Sequence, residues 1–194
     1  MIGYLPKKLN INGVDRAIRT DYRVALLIFQ AYADPELIED EKMGLFEKTQ
    51  AMLECLYEDF ESIPEEDILQ AIEKAIWFLD GGGASLDEKQ QTAKKVMDWE
   101  QDEPIIFSAV NKVAGFETRA VDYMHWWTFL GYFNEVGEGL FTSVVNIRQK
   151  KNRGKTLDRH EQEFYKENKS WIDLKNKLSP EEQSRQNNIN KMLS

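Results

Sequence analysis

A chain of 194 residues, 42% apolar and 30% charged, is long enough for one large helical domain and apolar enough to fill a core. No apolar run approaches the roughly 18 residues of a membrane span, and Met1–Lys8 lacks the charged-then-apolar order of a secretory leader. The single cysteine, Cys55, permits no internal disulfide and points to the cytoplasm.

The first element is a hairpin. Leu9-Asn10-Ile11-Asn12-Gly13-Val14-Asp15 places Asn-Gly between two short alternating runs, so strands are expected at 7–11 and 14–19. Thr20-Asp21 reads as a helix cap, and Tyr22 to Tyr32 is apolar almost all round, which predicts a buried central helix ending at Asp34-Pro35. Two one-faced helices follow. Leu45, Thr49, Met52, Leu53, Leu56 and Phe60 form the first stripe, and Ile68, Ile72, Ala75, Ile76 and Leu79 the second. Ser62-Ile63-Pro64-Glu65 starts the latter. Asp80-Gly81-Gly82-Gly83-Ala84-Ser85 stops it, and residues 80–100 are expected to form a flexible connection.

Asp102-Glu103-Pro104 restarts a helix with Ile105, Ile106, Ala109, Val110 and Val113 on its stripe, closing at Gly115. The densest aromatic stretch comes next, Tyr123-Met124-His125-Trp126-Trp127-Thr128-Phe129-Leu130-Gly131-Tyr132-Phe133. A further helix carries Leu140, Phe141, Val144, Val145 and Ile147. Beyond it the composition turns basic. Residues 1–147 hold 13 Lys/Arg against 27 Asp/Glu, whereas residues 148–194 hold 12 against 7. Thr156 is expected to cap one long polar helix in which Leu157, Phe164, Trp171 and Leu178 recur every seven residues, and Ser179-Pro180 to start a last short one. The fold class expected is mainly α: a helical bundle with a short N-terminal β-hairpin (about 7–19), an acidic body over 1–147 and a basic helical arm over 148–194.

No constellation of catalytic residues is legible. His125 lies inside the aromatic run, where a packed imidazole is the simpler reading than a base, and His160 has no second ligand at metal spacing. Gly81-Gly82-Gly83 lacks the Gly-Lys-Ser/Thr of a phosphate loop and reads as a linker. Cys55 stands near Glu54 and Glu58, which disfavour its thiolate. The chain is therefore expected to be no enzyme, with no cofactor and no metal. The acidic body would repel phosphate, so only the basic cluster Arg148, Lys150, Lys151, Arg153 and Lys155 offers a nucleic-acid contact. No aromatic alternates with it to stack on bases.

His125-Trp126-Trp127-Thr128-Phe129-Leu130, the preceding Ile106-Phe107-Ser108-Ala109-Val110, the early Asp21-Tyr22-Arg23-Val24-Ala25-Leu26 and the later Val145-Asn146-Ile147-Arg148 together resemble the phage "gene product fifteen" family. Its members are encoded in the tail-assembly region of siphophages and prophages of Gram-positive bacteria. The resemblance implies a tail assembly chaperone that binds the tape-measure protein in the host cytoplasm, as a homo-oligomer or in several copies. Its alternatives are a minor tail component and a nucleic-acid-binding regulator acting through 148–155. The residues expected at a partner surface are Trp126, Trp127, Phe133, Arg148, Lys150, Lys151, Arg153, Phe164 and Trp171.

Overall fold

Asn12 and Gly13 both take positive φ, 46° and 88°, as a two-residue turn between right-twisted strands requires. They join β1 (Lys8–Ile11) to β2 (Val14–Ala17), paired antiparallel with Leu9 opposite Arg16 and Ile11 opposite Val14. Leu9 and Ile11 share one face of the strand and are buried. Two strands are too few to stand alone in water. The hairpin is held at its tip, where the Asn12 side chain donates to Asp67 and its backbone N–H to Gln70. At its base, Arg19 N–H donates to Leu56 O at 2.8 Å, and Glu58 N–H to Ala17 O at 3.1 Å.

The computed structural model describes residues 3–33, 41–83 and 95–175. Eight α-helices occur among them: α1 (Tyr22–Tyr32), α2 (Glu41–Leu56), α3 (Ile68–Leu79), α4 (Glu103–Ala114), α5 (Trp126–Asn134), α6 (Leu140–Asn152), α7 (Arg159–Glu167) and α8 (Lys169–Ile172). The architecture is mainly α with an N-terminal hairpin, as the sequence pattern predicts. Of the expected features, Leu178 and the helix after Ser179 lie outside the described residues.

α1 begins where Asp21 Oδ1 accepts from Arg23 N–H at 2.9 Å, and it ends where Lys48 Nζ donates to Tyr32 O at 2.8 Å. It is not enclosed on all sides. Tyr22, Ala25 and Ile28 are buried, but Leu27 is 57% exposed. On α3 the buried face is also rotated from the expected one. Ala71 and Ala75 sit at its centre with Phe78 and Leu79, because the small alanines let Tyr57 approach and donate its hydroxyl to Ala71 O at 2.8 Å. Burial raises the Tyr57 pKa, so this donor stays protonated.

The core is strung on aromatic rings. Tyr22 stacks on Phe129 with centroids 4.5 Å apart, Phe29 packs on both Trp126 and Trp99, and Trp99 reaches Phe133, which meets Phe141 of α6. Trp99 belongs to the segment 80–100 expected as flexible. Of that segment, 80–83 is a turn closing α3 and 95–100 is packed, with Asp98 buried; residues 84–94 lie outside the described ones.

The Gly81-Gly82 pair has a packing role that a linker would not have. Trp126 Nε1–H donates to Leu79 O at 2.9 Å, and Trp127 Nε1–H to Phe78 O at 2.8 Å, which satisfies two carbonyls at the open end of α3. The chain then turns at Gly82 with φ +82°, where an added Cβ would lie 2.8 Å from the Trp127 ring. Gly82→Ala should therefore cost at least the roughly 1–2 kcal/mol of a left-handed L-residue. In urea unfolding, Gly154→Ala, at φ +64° with nothing within 4 Å, should cost less.

Candidate protein-binding groove

Asp21 and His125 start two helices and are stitched to each other. His125 Nε2 lies 3.0 Å from Pro6 O, and since a carbonyl only accepts, Nε2 carries the proton. Nδ1 is then the acceptor for Trp127 N–H at 3.1 Å and caps α5. Between the two caps, Tyr22 N–H donates to Met124 O at 2.9 Å, Trp126 N–H to Thr20 O at 2.7 Å, and Met124 N–H to Asp21 Oδ2 at 3.1 Å. Burial holds the His125 pKa below its ordinary value, against the opposing pull of the Pro6 carbonyl, and nearby Lys7 adds to the depression. The imidazole is a neutral structural cap with both nitrogens occupied.

The residues expected at a partner surface do not share one face. Trp126 is buried and Trp127 half-buried, both at the end of α3, while Phe133 is partly buried between Trp99 and Phe141. Arg148 is withdrawn from solvent altogether. Its side chain is 3% exposed and that of Asp102 is 0%. Nη1 donates to Asp102 Oδ2 at 2.6 Å and to Val96 O at 3.1 Å. Nη2 donates to Asp102 Oδ1 at 2.8 Å and to Trp171 O, and Nε to Ile172 O at 2.8 Å. Five donors meet five acceptors, so Arg148 is corrected from a partner contact to an internal clamp.

The basic segment folds back on itself. Lys150 pairs with Glu161, and Lys151 with Asp173 at 2.7 Å while lying over the Tyr165 ring. Hydrogen bonds from Lys151 and Tyr165 lower the Asp173 pKa in spite of its burial, which raises it. Arg153 is exposed at the end of α6. The expected single long helix is instead two. Asp158, not Thr156, caps α7 in a reciprocal pair with Glu161. At Asn168 the backbone and side-chain N–H groups both donate to Phe164 O, and the helix breaks before α8. Phe164 and Trp171 are partly buried against the core and Ile172 fully.

An open groove lies elsewhere, between α1 and α4. Tyr22 meets Phe107 at one end, at 6.1 Å between rings, and Phe29 meets Trp99 at the other, at 5.7 Å, so the two segments run antiparallel. Tyr22, Leu26, Leu27, Trp99 and Phe107 make an apolar lining of about 410 Å³, with Arg23 and Arg119 at one end and Glu100 and Glu103 towards the other. The basic end is fixed in place. Arg23 bonds Asp21 and donates to Val121 O at 2.6 Å, and Arg119 lies over the Phe107 ring, 5.0 Å from its centroid. The Arg119 guanidinium hydrogen bond holds Glu117 at a pKa of about 2. Past the acidic end a second depression of about 450 Å³ shares Glu100 and Glu103 and runs on to Trp171 and Lys175. Among the expected residues, Trp171 alone adjoins this surface.

Sequence reasoning missed Leu27, Trp99, Glu103, Phe107 and Arg119. The signal available was the apolar excess of α1, more than one helix face can bury. Among the described residues no group of three or more His, Cys, Asp or Glu could hold a metal ion, and no helix is long and apolar enough to cross a membrane. A family model described as "Bacteriophage Gp15 protein" matches residues 1–174. No curated protein and no solved structure matches the chain.

Two outcomes follow from the caps and the clamp. Arg148→Met strands the Asp102 carboxylate and three carbonyls, and denaturant unfolding should show a loss of about 3–5 kcal/mol. Arg148→Lys should not restore it, since an ammonium cannot reproduce the planar fork. For His125 the unfolded chain binds the proton more readily than the folded one. Its contribution is therefore complete above the unfolded pKa of about 6.5 and declines as pH falls below it. His125→Asn keeps an acceptor for Trp127 N–H, so melting profiles over pH 5–7 should be flatter for the variant than for the parent.

Proposed function

Since the chain belongs to the Bacteriophage Gp15 family, we propose that it is a non-catalytic, cytoplasmic tail assembly chaperone that holds the tape-measure protein before the tail tube forms around it. The observation that carries this reading is the apolar groove between α1 and α4, opened on a body with a large excess of Asp and Glu. A tape-measure protein is a long helical client whose apolar stripes aggregate when unshielded. Many copies of a weak grip along such a client give avidity without any one tight contact. The acidic surface keeps the loaded complex dispersed by mutual repulsion.

The basic segment 148–155 lends little to a nucleic-acid reading. Arg148 is spent on Asp102, and Lys150 and Lys151 on Glu161 and Asp173.

Co-expression with a tape-measure protein of the same phage or prophage tests the proposal. The soluble fraction of the tape measure should rise and the two should co-purify, whereas mass spectrometry of mature particles should find the chain absent. A tape measure equally soluble alone, or stoichiometric amounts of the chain in finished tails, would sink the proposal, the latter in favour of a minor tail component.

A further inference from the structure

The described chain ends beside the α1–α4 groove. Gln101 holds the outgoing backbone at two points: its Nε2–H donates to Asp173 O at 3.0 Å, and its Oε1 accepts from Lys175 N–H at 2.8 Å. Lys175 lines the depression of about 450 Å³ together with Glu100 and Glu103, and those two also line the groove. The exit thus opens onto a surface continuous with the groove.

Residues 176–194 carry a pattern that suits it. Ser179-Pro180-Glu181-Glu182 is a helix start, and Ile189, Met192 and Leu193 follow at i, i+3 and i+4, on one apolar face. Helix walls present no free backbone donors or acceptors to a strand, so an occupant must project side chains at that spacing. Residues 176–180 reach at most about 17 Å, and a helix over 181–194 is about 21 Å long. The α1 wall of the groove, from Arg23 to Gln30, extends about 10 Å. Other segments outside the described residues fit less well. In 84–94 only Leu86 is large and apolar, and in 34–40 Leu37 and Ile38 are adjacent rather than a turn apart. Three apolar side chains on a separate peptide would bind weakly. On a five-residue connection they meet the groove at an effective concentration in the millimolar range, where a weak contact suffices.

We propose that the chain's own segment 176–194 occupies the α1–α4 groove in the free protein, with Ile189, Met192 and Leu193 over Leu26, Leu27 and Phe107. The contact is autoinhibitory: it covers the apolar lining, and a client helix reaches the groove by displacing it. The docking stands apart from the chaperone reading, whereas the competition with a client rests on that reading.

Hydrogen exchange on the full-length chain reads the docking. Amides of 185–193 should exchange about tenfold more slowly in the parent than in Leu27→Glu, with those of α5 unchanged. Leu69→Glu, at a 76% exposed leucine on α3, should leave 185–193 protected. Equal rates in the parent and Leu27→Glu would overturn the proposal.

A second measurement identifies whose segment fills the groove. In a Cys55→Ser chain, Leu27→Cys with Met192→Cys should close an internal disulfide under mild oxidation, at least tenfold faster than Leu69→Cys with Met192→Cys. Equal rates contradict the docking, and a disulfide joining two chains replaces it with a second copy's segment. With a tape measure co-expressed, Leu193→Glu should raise the amount co-purified several-fold. No rise, with the tape measure still bound, removes the autoinhibition. A tape measure bound by neither protein removes the chaperone reading and leaves the docked segment.

Discussion

The C-terminal third of the molecule depends on one buried ion pair. Two charges removed from water are tolerated only when geometry and hydrogen bonding are complete, and Arg148 achieves that by drawing three pieces of chain to itself. Asp102 brings the start of α4, Val96 the segment before it, and Trp171 and Ile172 the last helix. Asp102 in turn accepts from Asp98 N–H at 2.9 Å, and Asp98 accepts from the N–H groups of Glu100 and Gln101. The segment carrying Trp99 and Glu100 is thereby fixed, and with it one end of the α1–α4 groove. A charge that never meets solvent thus shapes a surface that does.

The other end of the groove is set by the paired caps. Asp21 and His125 each begin a helix, and the hydrogen bonds between their neighbours lock those beginnings side by side. α1 is then held over α5, and the stack of Tyr22 on Phe129 follows from that placement. Both devices use polar groups with no spare donors or acceptors. Beside them apolar side chains stay open to solvent, Leu27 at 57% exposure among them.

Local features were legible in the sequence wherever one residue type decides a conformation. Asn12-Gly13 announced the turn, Asp21 the cap, Pro104 a helix start and Gly115 a helix end. Periodicity was less reliable. On α3 the larger isoleucines outvoted Ala71 in the pattern, although Ala71 and Ala75 form the centre of the buried face. In the arm, the seven-residue spacing of Leu157, Phe164 and Trp171 concealed the break that Asn168 makes by competing for the Phe164 carbonyl. Arg148 stood in a basic run and looked like its neighbours; only its distant carboxylate distinguishes it. The groove was illegible for a related reason. It exists through the antiparallel meeting of Tyr22 with Phe107 and Phe29 with Trp99, residues about seventy to eighty-five positions apart.

The bridge between Asp21 and His125 also has a cost in time. Closing a loop of about a hundred residues carries an entropy penalty of about 4 kcal/mol before any contact rewards it. A helical protein with such a closure folds more slowly than a bundle of sequential neighbours. During synthesis from the N-terminus, α1 leaves the ribosome long before His125 does. For that interval Tyr22, Phe29 and their neighbours have no partner to cover them, and a protein read as a guardian of exposed helices begins its own life as one.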